Sequence, residues 1–169
     1  MKIFFVDGYN VINSWPELKK LMEINIEAAR VKLIDMLQNY ASYMGCKINL
    51  IFDGHLIPNN NGSKEEYPNV KVVYTKTGET ADSFIEKSIN NLGRKIEVSV
   101  VTSDNLEQQV IFQRGATRMS SIEFHIEIKS AEQNIRKQVE SRYSEKRNQL
   151  EDYIEESVLK KLEKIRRSH

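Results

Sequence analysis

The stretch IFFVDGYN, residues 3–10, predicts the centre of the fold. Four apolar residues run directly into Asp7, and Gly8 follows it. A short run of Ile, Phe and Val without polar alternation is typical of a strand that is covered on both faces, as in a parallel sheet. Such a strand would hold Asp7 at one edge of the sheet, and Gly8 would let the chain turn away at once.

Three later runs have the same character, and they are Ile48 to Phe52, Val70 to Tyr74 and Val98 to Val101. Apolar residues recur at helical spacing from Ile26 to Met44 and from Phe84 to Leu92, and Leu106 to Phe112 predicts a further helix. The segment PNNNGSKEEYPN, residues 58–69, predicts an exposed loop, because Asn, Gly and Pro terminate regular structure. Alternating strands and helices predict an α/β fold with right-handed crossovers.

The C-terminal part of the chain differs in composition. From about Glu127 to Arg167 it is rich in Glu, Lys, Arg and Gln, contains no Gly or Pro, and keeps a narrow apolar stripe. This pattern predicts one long helix or two in series, with a basic end that suits the negative end of a helix dipole. The helix either packs on the core with a solvated outer face or forms an arm that contacts a partner.

The length and composition limit the possible class of protein, but they do not indicate a substrate. A chain of 169 residues fits one domain, and its net charge of +1 neither favours nor excludes a polyanionic partner. The single cysteine, Cys46, belongs to no CxxC motif and is interpreted as a small packing residue in a reduced compartment. No signal-peptide pattern or membrane-length apolar run is present, so we expect a cytoplasmic protein without a membrane partner.

Four aspartates map to one edge of the predicted sheet. Asp7, Asp53 and Asp104 follow strands, and Asp82 lies where the next helix should begin. Ligands of open α/β sheets bind outside the carboxyl ends of the strands, so this edge is the expected site. Each acid also has an ordinary structural interpretation, because Asp-Gly pairs form turns and Asp favours helix caps and first turns.

Carboxylates that converge repel one another unless a cation compensates them. Hard divalent ions such as Mg²⁺ or Mn²⁺ take carboxylate and water oxygens, whereas the three histidines are scattered and do not indicate zinc. An acidic site of this kind suits phosphodiester hydrolysis. The sequence contains no P-loop, GxGxxG or GxSxG motif that would indicate another chemistry.

Five segments in order, FFVDGYNVINSWPEL, LIFDGH, GETAD, VVTSDNLEQ and RGATRMSS, resemble the YacP-like NYN-domain family, bacterial members of the PIN-like nuclease superfamily. The resemblance implies a three-layer α/β/α, PIN-like and Rossmann-like domain over residues 1–128, with a central, mainly parallel sheet. Residues 129–169 would form a C-terminal helical extension. The activity that it implies is that of a metal-dependent endoribonuclease associated with the ribosome and directed at mRNA.

The motifs of the family also imply roles for individual residues. Asp7 and Asp82 would be the central ligands of Mg²⁺ or Mn²⁺, their loss should abolish cleavage, and Asp104 would complete the cluster. Three residues would support them, and these are Asn10, Asp53 and Glu79. Asn10 and Asp53 would act through water or by orienting a ligand, whereas Glu79 either joins the site or has a role on the loop surface.

Basic and aromatic residues near this edge are candidates for RNA binding. Lys76, Arg114 and Arg118 could hold phosphates, although each has the alternative of a solvated surface charge. Tyr9 and Trp15 could stack on unpaired bases, and Trp15 has the alternative of packing the entry to the next helix.

The leading hypothesis is a Mg²⁺- or Mn²⁺-dependent endoribonuclease in which activated water attacks the phosphorus, leaving a 5′-phosphate and a 3′-hydroxyl. A second hypothesis is a ribosome- or RNA-binding factor whose acidic site is weak or silent. A third is a phosphohydrolase of small molecules that shares the acidic edge.

Overall fold

The computed structural model describes residues 2–54, 62–92, 96–103 and 116–167. The elements in chain order are β1 Lys2–Asp7, α1 Gly8–Ser14, α2 Pro16–Ile24, α3 Ile26–Met44, β2 Lys47–Phe52, β3 Ser63–Tyr67, β4 Val70–Tyr74, α4 Ala81–Asn91, β5 Glu97–Val101, β6 Thr117–Met119 and α5 Ser121–Arg167. The chain divides into two compact units, Met1–Ala131 and Glu132–His169. Within the described residues, no helix is both long and apolar enough to cross a membrane.

The strands form a mixed sheet with β1 in its interior. In the described part of the chain, six strands lie in the order β3-β4-β2-β1-β5-β6, and β3 alone is antiparallel to its neighbour. The four strands predicted from apolar runs correspond to β1, β2, β4 and β5. The predicted α/β class with a mainly parallel central sheet is therefore confirmed.

Apolar side chains cover both faces of the sheet. Phe4, Val6 and Leu50 face a layer built from the first three helices and the start of α5, in which Leu37 and Phe124 are fully buried. Successive residues of a strand alternate between faces. The other face packs on α4, and its apolar side chains include Phe5, Ile51, Val73, Ile85 and Ile89. Strands covered on both sides need no polar alternation, and the three-layer α/β/α arrangement is confirmed.

Local signals fix the bounds of α3. Asn25 is its N-cap and accepts hydrogen bonds from the backbone amides of Glu27 and Ala28 at 2.9 and 3.1 Å. Gly45 ends the helix in the left-handed region at a φ of 64°. The helix therefore occupies the span that the apolar stripe predicted. Cys46, immediately after it, is buried, which confirms its interpretation as a packing residue.

The loop predicted for residues 58–69 is wrong for Ser63–Tyr67, which forms β3. All of its side chains are exposed, and a two-residue connection, Pro68 and Asn69, joins it to β4. An edge strand is stabilised by hydrogen bonds to its neighbour and needs no apolar face, while charged side chains such as Lys64 and Glu65 discourage further pairing. The strand β3 therefore lacks the alternation of apolar and polar residues from which a strand is predicted.

The C-terminal segment is a single helix, α5, which begins at Ser121, before the predicted start at about Glu127. Ser120 and Glu123 form a capping box, with 2.8 Å from the Ser120 amide to Glu123 Oε2 and 3.2 Å from the Glu123 amide to Ser120 Oγ. The predicted helix from Leu106 to Phe112 lies outside the described residues.

Trp15 joins the short helices of the N-terminal region to α5. It is fully buried, and its Nε1 donates to the carbonyl oxygen of Ser121 at 2.8 Å. Its ring centroid lies 4.7 Å from that of His125. The packing interpretation of Trp15 is confirmed, because a buried ring is not available to stack on a base.

An ion pair between α2 and α5 predicts a pH dependence of stability. Glu17 Oε1 lies 2.9 Å from His125 Nε2 and 3.0 Å from Lys129 Nζ. Burial alone would raise the pKa of Glu17, but the hydrogen bonds from His125, the backbone and Lys129 outweigh it and lower the pKa from 4.5 to about 2. An acid with a depressed pKa contributes stability above its unfolded pKa and loses it as the pH falls through the folded value.

We therefore expect the free energy of unfolding to fall by about 1 kcal/mol more in the wild type than in Glu17→Gln between about pH 4.5 and about pH 2. Urea denaturation across this range measures the difference. Glu23→Gln, an exposed change in the same helix, is the control and should follow the wild type. Parallel curves for Glu17→Gln and the wild type would contradict the assignment.

Candidate functional site

The carboxyl ends of the parallel strands meet at one edge of the sheet. Asp7, the last residue of β1, is in register with Ile51 of β2, and Phe52 is in register with Tyr74 of β4. On the other side of β1, Val6 is in register with Val101. The residues that follow these strands therefore converge, as the sequence predicted.

Asp7 is both the end of β1 and the N-cap of α1. Its carboxylate accepts a hydrogen bond from the backbone amide of Asn10 at 3.0 Å. Burial is the main reason that the pKa of Asp7 rises from 3.8 to about 6, and Coulomb repulsion from Asp82 and Asp53 raises it further against the hydrogen bonds from the backbone of Asn10 and Tyr9. The structure thus brings Asp7, Asp53 and Asp82 into one electrostatic neighbourhood.

This neighbourhood fits a divalent cation in its charge and in its donor atoms. A partly buried carboxylate that other carboxylates repel is costly to ionise unless a cation compensates it, and carboxylate oxygens are the ligands of Mg²⁺ and Mn²⁺. In the part of the chain that the structure describes, no group of three or more His, Cys, Asp or Glu side chains is close enough to hold a metal. Coulomb repulsion acts over longer distances than metal ligation, so the two observations are compatible. The predicted third ligand, Asp104, lies outside the described residues.

Gly8 has a role that the sequence did not predict. It is the first residue of α1, directly after the end of β1. A Cβ at this position would lie 2.6 Å from Cδ1 and 2.9 Å from Cζ of the Phe52 ring. Glycine is therefore required because the ring lies directly against the backbone that follows Asp7.

Tyr9 packs beside this glycine. Its ring centroid lies 5.0 Å from that of Phe52, and its hydroxyl forms a hydrogen bond with the guanidinium of Arg30, a buried residue of α3. The Arg30 guanidinium also pairs with Glu27 at 2.8 Å. The hydroxyl of Tyr9 is thus engaged within the protein, and its predicted contact with RNA stays a prediction for the partly exposed ring.

The loop between β4 and α4 delivers Asp82 to the same edge. Asp82 lies in the first turn of α4, where the helix dipole favours a negative charge, and Thr80 caps the helix by accepting from the Ser83 amide at 3.2 Å. Glu79 pairs with Lys87 of α4 at 2.9 Å, which supports its loop-surface interpretation. Lys76 is exposed in this loop, as a phosphate-binding side chain would need to be.

Thr75 connects two of the loops at the site, although no sequence signal singled it out. It is buried, and its hydroxyl accepts from the Gly54 amide at 2.9 Å and donates to the Glu79 carbonyl at 2.6 Å. The loop that carries Asp53 and the loop that leads to Asp82 are therefore held together by one side chain.

Asn10 is bound to a second buried hydroxyl. Its Oδ1 accepts from Ser121 Oγ at 2.5 Å, and Ser103 Oγ donates to Ser121 Oγ at 3.0 Å. Asn10, Ser103 and Ser121, from three of the segments that resemble the family, thus meet in three dimensions. Sequence reasoning matched RMSS to a family motif but assigned no role to Ser121.

Of the two remaining basic candidates, Arg118 lies within the described residues. Arg118 lies on β6, in register with Val100 of β5, and its Nε has no hydrogen-bond partner within the described residues. Arg114 lies outside the described residues. Their predicted contacts with phosphates stay predictions.

An α/β/α domain with acidic residues at the carboxyl ends of its central strands is the arrangement that the sequence resemblance to the NYN and PIN-like class implies. The chain matches the model of the YacP-like NYN domain over residues 4–167 and belongs to that family. The resemblance stated from the five motifs is thereby confirmed.

Relatives match almost the whole chain. It is 41% identical over 170 residues to an uncharacterized YacP protein of Bacillus subtilis, with 99% of this chain and 98% of the relative covered. The crystal structure of Rae1 (YacP) from Bacillus subtilis is similar, with a TM-score of 0.76 and 39% identity over 99% of this chain and 95% of that chain. The crystal structure of a mutant of the same Rae1 protein gives a TM-score of 0.73 and 38% identity, covering 85% of each chain.

Proposed function

We propose that this protein is a Mg²⁺- or Mn²⁺-dependent endoribonuclease that cleaves mRNA in association with the ribosome, in the cytoplasm. The observation that supports the proposal is Asp7, a partly buried carboxylate at the end of β1 whose pKa is raised to about 6 by burial and by repulsion from Asp82 and Asp53. In a nuclease-type domain, a carboxyl group with a strongly perturbed pKa at the ligand-binding edge is a candidate for the catalytic site.

Each residue of the site has a role in this proposal. Asp7 and Asp82 would hold the cation, with Asp104 as the third ligand and Asp53 in support. When bound, the divalent cation would lower the pKa of a water molecule and neutralise charge on the phosphate. Because Asp7 is fixed by both a central strand and a helix cap, its carboxylate is preorganised and needs little rearrangement to bind.

The rest of the edge would bind the RNA chain. Lys76, Arg114 and Arg118 would hold phosphates on either side of the scissile bond, and the ring of Tyr9 would lie against a base. With water as nucleophile instead of the ribose 2′-hydroxyl, the products would carry a 5′-phosphate and a 3′-hydroxyl.

Cleavage assays with two RNA preparations test this proposal. Purified protein is incubated with ribosome-bound mRNA and with naked transcript, in Mg²⁺, in Mn²⁺ and in EDTA, and the product ends are mapped. We expect cleavage only with a divalent ion, faster on ribosome-bound mRNA, and loss of cleavage in Asp82→Asn. Glu86→Gln, an exposed change in the same helix, is the control and should cleave like the wild type. Undiminished cleavage in EDTA or by Asp82→Asn would refute the proposal.

A second candidate is an RNA- or ribosome-binding factor with a silent acidic site. The unit Glu132–His169 favours it, because apolar side chains along its helix are exposed to solvent, namely Val139, Tyr143, Val158 and Ile165. Their separations of 4, 15 and 7 residues place these side chains along one face of the helix, and an apolar stripe exposed in this way is a candidate surface for a partner. Co-sedimentation with ribosomes, without cleavage of any transcript in either metal, would favour this candidate.

A further inference from the structure

The buried hydroxyl of Ser121 lies between two motifs of the site. Ser121 is fully buried, and its Oγ lies 2.5 Å from Asn10 Oδ1 and 3.0 Å from Ser103 Oγ. A serine hydroxyl has one donor and two acceptor positions, so it can donate to Asn10 and accept from Ser103 at the same time. Both neighbours belong to segments that carry predicted metal ligands.

Helix capping does not account for this hydroxyl. The preceding residue, Ser120, and Glu123 form the capping box of α5 with their own pair of hydrogen bonds. The carbonyl oxygen of Ser121 accepts from Nε1 of the fully buried Trp15 at 2.8 Å, which fixes the backbone at this point. The fold therefore holds Ser121 Oγ in place, and its hydrogen bonds go to Asn10 and Ser103 and not to the end of the helix.

The bond to Ser121 determines which end of the Asn10 amide remains available. A side-chain amide has one carbonyl acceptor and two N–H donors. Since Oδ1 accepts from Ser121, Nδ2 is the end that is turned away from it, and no hydrogen bond from Nδ2 is seen to any of the described residues. An N–H group cannot ligate a cation, but it donates well to an anionic oxygen.

We propose that Ser121 is a positioning residue that orients Asn10 as a hydrogen-bond donor to a phosphate oxygen of the RNA. The inference rests on the proposed function and assigns Asn10 to the substrate, although the sequence left open whether it acts through water or orients a ligand. A neutral donor is useful at this edge, because the three neighbouring carboxylates repel a phosphate while an amide N–H attracts it.

A nitrogen–proton correlation spectrum tests the orientation independently of activity. The side-chain amide peaks of Asn10, assigned by their loss in Asn10→Ala, should shift in Ser121→Ala and stay unchanged in Ser120→Ala. Adding a short oligouridylate in EDTA, where the proposal predicts no cleavage, should shift the same peaks in the wild type. If the Asn10 amide peaks shift neither in Ser121→Ala nor on addition of the oligouridylate, the proposal that Ser121 orients Asn10 is wrong.

Steady-state kinetics separates positioning from a merely structural role. Ser121→Ala should raise KM by about tenfold, the effect of one hydrogen bond to the substrate, with a smaller change in kcat. The pair Asn10→Ala and Ser121→Ala should be no worse than Asn10→Ala alone, because both changes remove the same contact. The inference is wrong if the double variant loses activity by the product of the two single losses. It is also wrong if KM is unchanged in Ser121→Ala.

Two further measurements apply if Ser121→Ala does not fold or if the wild type is inactive. If Ser121→Ala does not fold, Ser103→Ala removes the other bond to the same hydroxyl and should shift the Asn10 peaks in the same direction, to a smaller extent. Unchanged peaks in Ser103→Ala would then count against the network. If the wild type cleaves no RNA, the proposed function fails, and the response of the Asn10 peaks to Ser121→Ala still decides whether Ser121 orients Asn10.

Discussion

Replacing Asp7 by asparagine is expected to abolish RNA cleavage and, at neutral pH, to raise the free energy of unfolding. Asparagine has nearly the same shape and is as good an N-cap as aspartate, so α1 keeps the hydrogen bond from the Asn10 amide. The negative charge is lost, and with it a ligand of the proposed cation. Since metal-ion catalysis supplies several kcal/mol, we expect cleavage to fall at least about a hundredfold.

The gain in stability follows from the raised pKa of Asp7. Burial, together with Asp82 and Asp53, raises this pKa from 3.8 to about 6, so the folded chain holds the proton more tightly than the unfolded chain. The contribution of such an acid is greatest below pH 3.8 and is lost as the pH rises through about 6. At about pH 7, the free energy of unfolding of Asp7→Asn should therefore exceed that of the wild type by about 1 to 2 kcal/mol. The difference should shrink below about pH 4.

Urea denaturation without divalent ions, at about pH 4 and about pH 7, measures the predicted difference. Asp35→Asn is the matched control, because Asp35 is exposed on α3 and the same chemical change there should affect neither cleavage nor the pH profile. The prediction fails if Asp7→Asn cleaves like the wild type or unfolds more easily at neutral pH.

Replacing Gly8 by alanine is expected to lower the free energy of unfolding by about 3 kcal/mol, the upper part of the range for overpacked cores. The added methyl group would overlap the ring of Phe52, which is fully buried and cannot move without displacing Tyr9 and Tyr74. Chemical denaturation measures the loss. Because Gly8 follows Asp7 directly, the backbone shift should also reduce cleavage.

A double-mutant cycle identifies the cause of the loss. In a Phe52→Leu background the ring is gone, so Gly8→Ala should cost less than about 1 kcal/mol there. Gly45→Ala is the control for backbone strain, since Gly45 has a φ of 64° and open space around the position of a Cβ. Its cost should be the same with and without Phe52→Leu. Equal costs of Gly8→Ala in both backgrounds would exclude the steric explanation.

The sequence predicted those parts of the fold whose signals are local. The apolar runs located four strands because strands that are covered on both faces are mostly apolar, and Asn25 and Gly45 bound α3 at the ends of its apolar stripe. The short helix α1 was missed because Asp7 and Gly8, at its N-cap and first position, also form the commonest kind of turn. The strand β3 was missed because an exposed edge strand has no apolar pattern.

The site was predictable to the extent that it follows from topology. Parallel strands end at one edge, and this rule led to the prediction that Asp7, Asp53 and Asp82 lie near one another, which agrees with the repulsion that Asp53 and Asp82 exert on Asp7. The contact between Asn10 and Ser121 was not predictable. The two residues are 111 positions apart, and no sequence pattern indicates that their segments lie together. Long-range hydrogen bonds depend on how the helices pack, which sequence spacing does not encode.

The hydroxyl of Thr75 makes two loops mechanically dependent on each other. Its bonds to the Gly54 amide and the Glu79 carbonyl tie the segment after β2 to the segment that leads into α4. A displacement of one segment when RNA binds is therefore transmitted to the other through the Thr75 hydroxyl and through the hydrogen bond from the Thr75 amide to the Phe52 carbonyl at 3.0 Å. The backbones beside Asp53 and Asp82 should therefore move together, so that the gap between them is kept while the edge adapts to its substrate.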